Sequence, residues 1–173
     1  MLDTLAPPAR ALLLGCGRNH SLRMGPQGRE ARPEVTTLDM SPDVGADWVW
    51  ELRSDNPLPF EDESFDELHA YDVLEHLGKQ GDWRGYFDEF AEYWRILKPG
   101  GRFYVAVPIG ESAFADPGHT RFFQTNHFRL LSQRAYDEAN DITDYRWYWK
   151  LDFEVLHLEE VGGCHLLAVL EKR

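Results

Sequence analysis

Ala11-Leu12-Leu13-Leu14-Gly15-Cys16-Gly17 decides the architecture. Four consecutive apolar residues without alternation read as a short strand buried on both faces, and two glycines around a single residue end it in a tight turn. Such a strand belongs in a parallel sheet covered by its own crossovers, so further strands should alternate with helices. Val35-Thr36-Thr37-Leu38-Asp39 is a second strand, β-branched and closed by an acid. Asp47-Trp48-Val49-Trp50, then residues 67–71, then residues 102–108 supply three more, the last bracketed by Gly101 and Pro108. Over residues 82–97, Trp83, Tyr86, Phe87, Phe90, Tyr93 and Leu97 recur at intervals of three and four. This spacing predicts a helix with its aromatic stripe on the sheet, Asp82 as N-cap, and Lys98-Pro99-Gly100-Gly101 as the stop. Residues 151–158 alternate with period two, Gly162-Gly163 turns the chain, and residues 165–170 return, so a terminal hairpin adds one antiparallel strand. The expectation is an α/β domain with a mainly parallel sheet of seven strands.

The 173 residues carry a formal charge of −12 and are 43% hydrophobic, which suits a single domain over residues 1–173 with an ordinary core. No apolar run approaches the roughly 18 residues of a membrane span, and the first residues lack the basic end and apolar centre of a leader, so a cytoplasmic protein is expected. Cys16 and Cys164 both lie in apolar stretches and are read as reduced, buried thiols. Between Glu51 and Arg95 there are 13 acidic and 4 basic residues. A face this negative repels phosphate backbones, which argues against nucleic acid as a partner, and it tolerates a cationic ligand.

In an open parallel sheet, ligands sit beyond the carboxyl ends of the strands. Gly15 and Gly17 remove β-carbons there and let backbone N–H groups come close to a ligand, while Asp39, at the end of the second strand, can accept hydrogen bonds from ribose hydroxyls. A dinucleotide site needs a third glycine opening a helix under the pyrophosphate. Here Arg18-Asn19-His20-Ser21 follow, and Gly25, Pro26, Gly28 and Pro33 interrupt any long helix. The surviving elements suit a nucleoside cofactor without phosphate.

Residues 12–17, Asp39, the segment Leu58-Pro59-Phe60-Glu61-Asp62-Glu63-Ser64-Phe65-Asp66, Val73-Leu74-Glu75-His76-Leu77 and Trp94-Arg95-Ile96-Leu97-Lys98-Pro99-Gly100-Gly101 together resemble the ordered motifs of class I S-adenosylmethionine-dependent methyltransferases, in particular a small branch with phage and prophage members. The resemblance implies a Rossmann-like, doubly wound sheet with a shortened first helix. It implies S-adenosyl-L-methionine as cofactor, with Gly15, Cys16 and Gly17 against the methionine moiety, Asp39 on the ribose, Met40 packed on the adenine, Glu51 near its amino group and the backbone of Leu52 on the ring.

Asp72, Glu75 and His76 stand at i, i+3 and i+4, one face of a helix if a helix follows the fourth strand. With His119 they could hold a hard divalent ion. Asp72-Val73-Leu74-Glu75 is also a capping box, which needs no ion; capping, with Asp72 toward the cofactor, is the reading adopted, and no metal is assigned. His119 lies in a loop after the fifth strand, where a ring nitrogen could take a proton from an acceptor. His119 and His76 are therefore the candidate catalytic residues. The expected function is methyl transfer to an oxygen or nitrogen of a small molecule or protein. A non-catalytic nucleoside- or partner-binding module is the alternative, and a nicotinamide oxidoreductase stands further off.

Overall fold

A computed structural model of the chain describes residues 8–26, 33–138 and 141–173. Its seven-stranded sheet has the order β3-β2-β1-β4-β5-β7-β6. The strands are β1 (Arg10–Leu14), β2 (Glu34–Asp39), β3 (Trp48–Val49), β4 (Phe65–Tyr71), β5 (Leu97–Pro108), β6 (Phe153–Val161) and β7 (His165–Lys172). The first five pair in parallel, and β7 runs antiparallel to both β5 and β6. The doubly wound α/β expectation, terminal hairpin included, holds.

Residues Ala11 to Leu14 are all buried because the sheet is covered on both faces: Leu12 and Leu14 join the larger core, Leu13 the smaller one. The larger core holds helix α1 (Trp83–Ile96), whose Tyr86, Phe87, Phe90 and Tyr93 are buried in it. Asp82 caps α1 through a 3.0 Å bond from the Gly85 N–H. The helix stops one residue sooner than its stripe suggests. Leu97 already pairs with Phe65 as the first residue of β5, and the ladder then skips to Glu67 opposite Arg102 across a bulge. Two short helices, α2 (Thr125–Arg129) and α3 (Gln133–Glu138), follow β5.

On the opposite face no helix lies between β1 and β2 among the described residues; Leu22 and Met24 pack from irregular chain. That segment is tied down by polar contacts. Tyr71 Oη accepts from the Arg23 and Met24 N–H groups and lies 2.6 Å from Nδ1 of the fully buried His69, whose Nε2 is 3.0 Å from Glu67. Both cysteines are free; Cys16 is buried, but Cys164, at the hairpin turn, is only partly so, a correction to the expectation of two buried thiols. Among the described residues no helix is long and apolar enough to cross a membrane.

Candidate functional site

The site begins where β1 and β2 end side by side, with Leu14 opposite Leu38. The chain leaves β1 through Gly15 and Gly17, both with left-handed backbone (φ +56° and +53°). A β-carbon on Gly15 would lie 2.2 Å from Val73 Cγ2, so glycine is required there by both conformation and space. The Gly17 N–H donates to Asp39 Oδ2 and the Ser41 N–H to Oδ1, each at 2.9 Å. Two backbone donors thus fix the carboxylate, and each oxygen keeps a further lone pair for a ligand hydroxyl.

Asp39 opens on a cavity of about 590 Å³. Of the eight residues anticipated as cofactor-binding, six line it: Gly15, Asp39, Met40, Glu51, Leu52 and Asp72. His76 lines it too. Cys16 and Gly17 do not. Gly17 spends its N–H on Asp39, and Cys16 packs in the smaller core with Leu13, Tyr71 and Tyr104, where burial, and then the charge of Asp39, pushes the thiol up. Met40 is 68% exposed.

The capping box expected at residues 72–75 does not form. Only a single 3-10 turn, Leu74–His76, follows β4; Val73 is its N-cap and makes no side-chain capping bond. Asp72 stands outside the turn with φ +56°, so Asp72, Glu75 and His76 do not share a helical face. Its carboxylate goes elsewhere. Oδ2 accepts from the Arg23 guanidinium at 2.9 Å, and Oδ1 lies 3.0 Å from His165 Nε2. Sequence reasoning gave His165 no partner, and no local pattern could have supplied one, since Asp72 is 93 residues away and meets it only because β7 inserts beside β5.

Glu75, His76 and His119 do come together. The Glu75 backbone carbonyl accepts from the Thr120 and Arg121 N–H groups at 2.9 and 3.0 Å, fastening the loop after β5 to the turn after β4. The Glu75 side chain is buried, and neither carboxylate oxygen has a hydrogen-bond partner among the described residues. Burial pushes this carboxyl up to about 7. His119 Nε2 stands 3.9 Å from Glu75 Oε1, too far for a hydrogen bond. The His76 and His119 rings meet edge to face, 4.7 Å between centroids. Each ring bonds a backbone carbonyl through Nδ1, His119 to Ala113 at 3.0 Å and His76 to Gly118 at 3.2 Å. His119 is not among the residues lining the cavity; it reaches the cavity wall through His76.

Residues 12–105, more than half of the chain and every one of the cavity residues named above, match the family model described as a methyltransferase domain. The chain belongs to that family. Among curated relatives of this methyltransferase domain, the sterol methyltransferase-like 1 protein of Botryococcus braunii is 33% identical over 113 residues, which is 65% of this chain and 23% of that protein. The chain therefore spans about a quarter of the length of that relative. Among solved structures, the complex between the Haloferax volcanii Trm112 methyltransferase activator and a methyltransferase matches with a TM-score of 0.63 and 17% identity, over 98% of this chain and 84% of that one. The geranyl diphosphate C-methyltransferase of Streptomyces coelicolor A3(2), solved with Mg2+, geranyl-S-thiolodiphosphate and S-adenosyl-L-homocysteine, matches with a TM-score of 0.58 and 14% identity, over 99% of this chain and 72% of that one. At these identities the structural likeness establishes the fold alone.

Proposed function

We propose that this methyltransferase domain binds S-adenosyl-L-methionine in the cavity at Asp39 and transfers its methyl group to an oxygen or nitrogen of a small-molecule or protein acceptor. The observation that carries this is Met40, a large apolar side chain left 68% exposed on the cavity wall next to the fixed Asp39 carboxylate. An acid for ribose hydroxyls beside an uncovered apolar surface for a base is the pairing a nucleoside needs. The volume lies within the roughly 300–1,000 Å³ of small-molecule sites. Residues 18–26 form no helix, so among the described residues no helix N-terminus directly follows Gly17 for a pyrophosphate to rest on. The S-adenosyl-L-homocysteine in the Streptomyces relative supports the same cofactor class.

In this reading Asp39 takes the ribose, Met40 and Leu52 cover the adenine, Glu51 accepts from its amino group, and the backbone of Gly15 passes along the methionine moiety. Asp72, also on the cavity wall, is kept on the cofactor. Bound, the cofactor supplies an activated methyl, so the protein's work is alignment, with a base needed only where the acceptor must lose a proton. His76, on the cavity wall, with His119 against its ring, is the pair placed to take that proton. A thermal-shift titration tests the reading: S-adenosyl-L-homocysteine should raise the unfolding midpoint by mass action and NADH should not. A rise with NADH alone would replace it by a nicotinamide enzyme.

A further inference from the structure

We propose that Glu75, His76 and His119 bind one divalent transition-metal ion of the zinc class at the edge of the cavity. The starting point is a carboxylate in an impossible position. Glu75 is 1% exposed, and neither oxygen has a hydrogen-bond partner among the described residues, although burying an unbonded acid costs several kcal/mol. The nearest cation-capable group, His119 Nε2, does not close on it but stops at 3.9 Å. One ligand atom from each of Glu75, His76 and His119 lies within 4.8 Å of the others.

The imidazoles are already set for coordination. A carbonyl only accepts, so the bonds to Ala113 and Gly118 put the proton of each ring on Nδ1 and leave Nε2 with a free lone pair. Metal-binding histidines are oriented in this way, the second nitrogen donating to a backbone carbonyl. Gly118 serves the arrangement: a β-carbon there would lie 3.1 Å from His76 Nδ1. The two loops that carry the three residues are joined through the Glu75 carbonyl, so the ligands come from a braced frame. An ion about 2.0–2.2 Å from each ligand needs them roughly 3.4 Å apart, so Glu75 and His119, now at 3.9 Å, would close by about half an ångström, and pairs with His76, all within 4.8 Å, by about 1.4 Å at most.

Asp72, whose oxygens are engaged by Arg23 and His165, is outside the set. Two imidazoles and one carboxylate favour zinc, iron or nickel over magnesium or calcium. Three protein ligands also leave a coordination position for water or a substrate atom. If the methyl-transfer reading above holds, the atom taken there is the acceptor oxygen or nitrogen; the ion would make its proton easier to lose, and with His76 and His119 engaged as ligands that proton would pass to water and not to either ring.

The test is calorimetric titration of the chelator-stripped full chain with Zn2+, without cofactor, so that its outcome is separate from that of cofactor binding. We expect Zn2+ to bind and Mg2+ at the same concentration not to. Glu75→Gln and His119→Gln should each weaken Zn2+ binding by about 100-fold or more, and His157→Gln, at an exposed histidine beside Glu159, should leave it unchanged. Far-ultraviolet circular dichroism confirms that each variant is folded, and either cluster variant alone suffices. Absence of Zn2+ binding to the wild-type chain, Zn2+ affinity untouched in both cluster variants, or Mg2+ bound in preference would overturn the proposal.

Discussion

The Gly17 N–H donates to Asp39 Oδ2 at 2.9 Å, joining the turn after β1 to the last residue of β2. With the Ser41 N–H on the other oxygen, the carboxylate is oriented before any ligand arrives. Preorganisation of this kind lowers the entropy lost on binding, because the side chain does not have to be ordered by the ligand.

Gly15 and Gly17 share a left-handed backbone but differ in what surrounds them. Alanine at Gly17 meets nothing within 4 Å and should cost only the backbone penalty, about 1–2 kcal/mol. Alanine at Gly15 adds a clash with Val73 and should cost about 2–4 kcal/mol. Urea denaturation of the two variants measures the difference, and Val73→Ala should recover part of the Gly15→Ala loss. Equal costs at both glycines would show that Val73 yields freely.

Arg121 and Glu89 form a buried pair at 2.9 Å, with Tyr93 donating to the same carboxylate at 3.1 Å. Burial pushes the Glu89 carboxyl up, and Arg121 pulls it back. Arg121→Met leaves the acid alone in the core and should destabilise by about 3–5 kcal/mol, whereas the double variant with Glu89→Leu should lose much less. Denaturant midpoints of the two chains check this. A double variant as unstable as the single would mean that packing, not charge, sets the cost.

His127 is held below the usual histidine range by burial, its Nδ1 accepting from the Gln124 N–H. The unfolded chain takes up this proton near pH 6.5, the folded chain only at lower pH. The contribution is therefore present above about pH 6.5 and lost as pH falls. Comparing the wild type with His127→Gln, the gap in unfolding midpoint should narrow between about pH 7.5 and pH 5.5. A constant or widening gap would contradict the assignment.

How far the sequence reaches is clear from particular residues. Ala11 to Leu14 could be read because burial on both faces leaves no polar residue among these four, and α1 because its stripe has an unambiguous period. The approach of Asp39 to the turn that holds Gly17 was legible because Asp39 ends β2 and the turn directly follows β1, its parallel neighbour. Residues 72–76 misled: the capping-box spacing is present, but φ +56° at Asp72 and a single 3-10 turn break the helical geometry that spacing assumes. Pairings set by topology alone, such as Asp72 with His165 and Glu89 with Arg121, leave no trace in local sequence. Cys16 was placed in the right turn, but which face its side chain takes depends on the packing of Tyr71 and Tyr104.

The most direct test of the central claim is calorimetry of S-adenosyl-L-homocysteine binding to the wild-type chain and to Asp39→Ala, each confirmed folded at the working temperature. Hydrogen bonds to a charged group contribute roughly 1.5–3 kcal/mol, so the wild type should bind and the variant should bind at least about tenfold more weakly. A wild type that does not bind the ligand, or a variant that binds it equally well, would contradict the account.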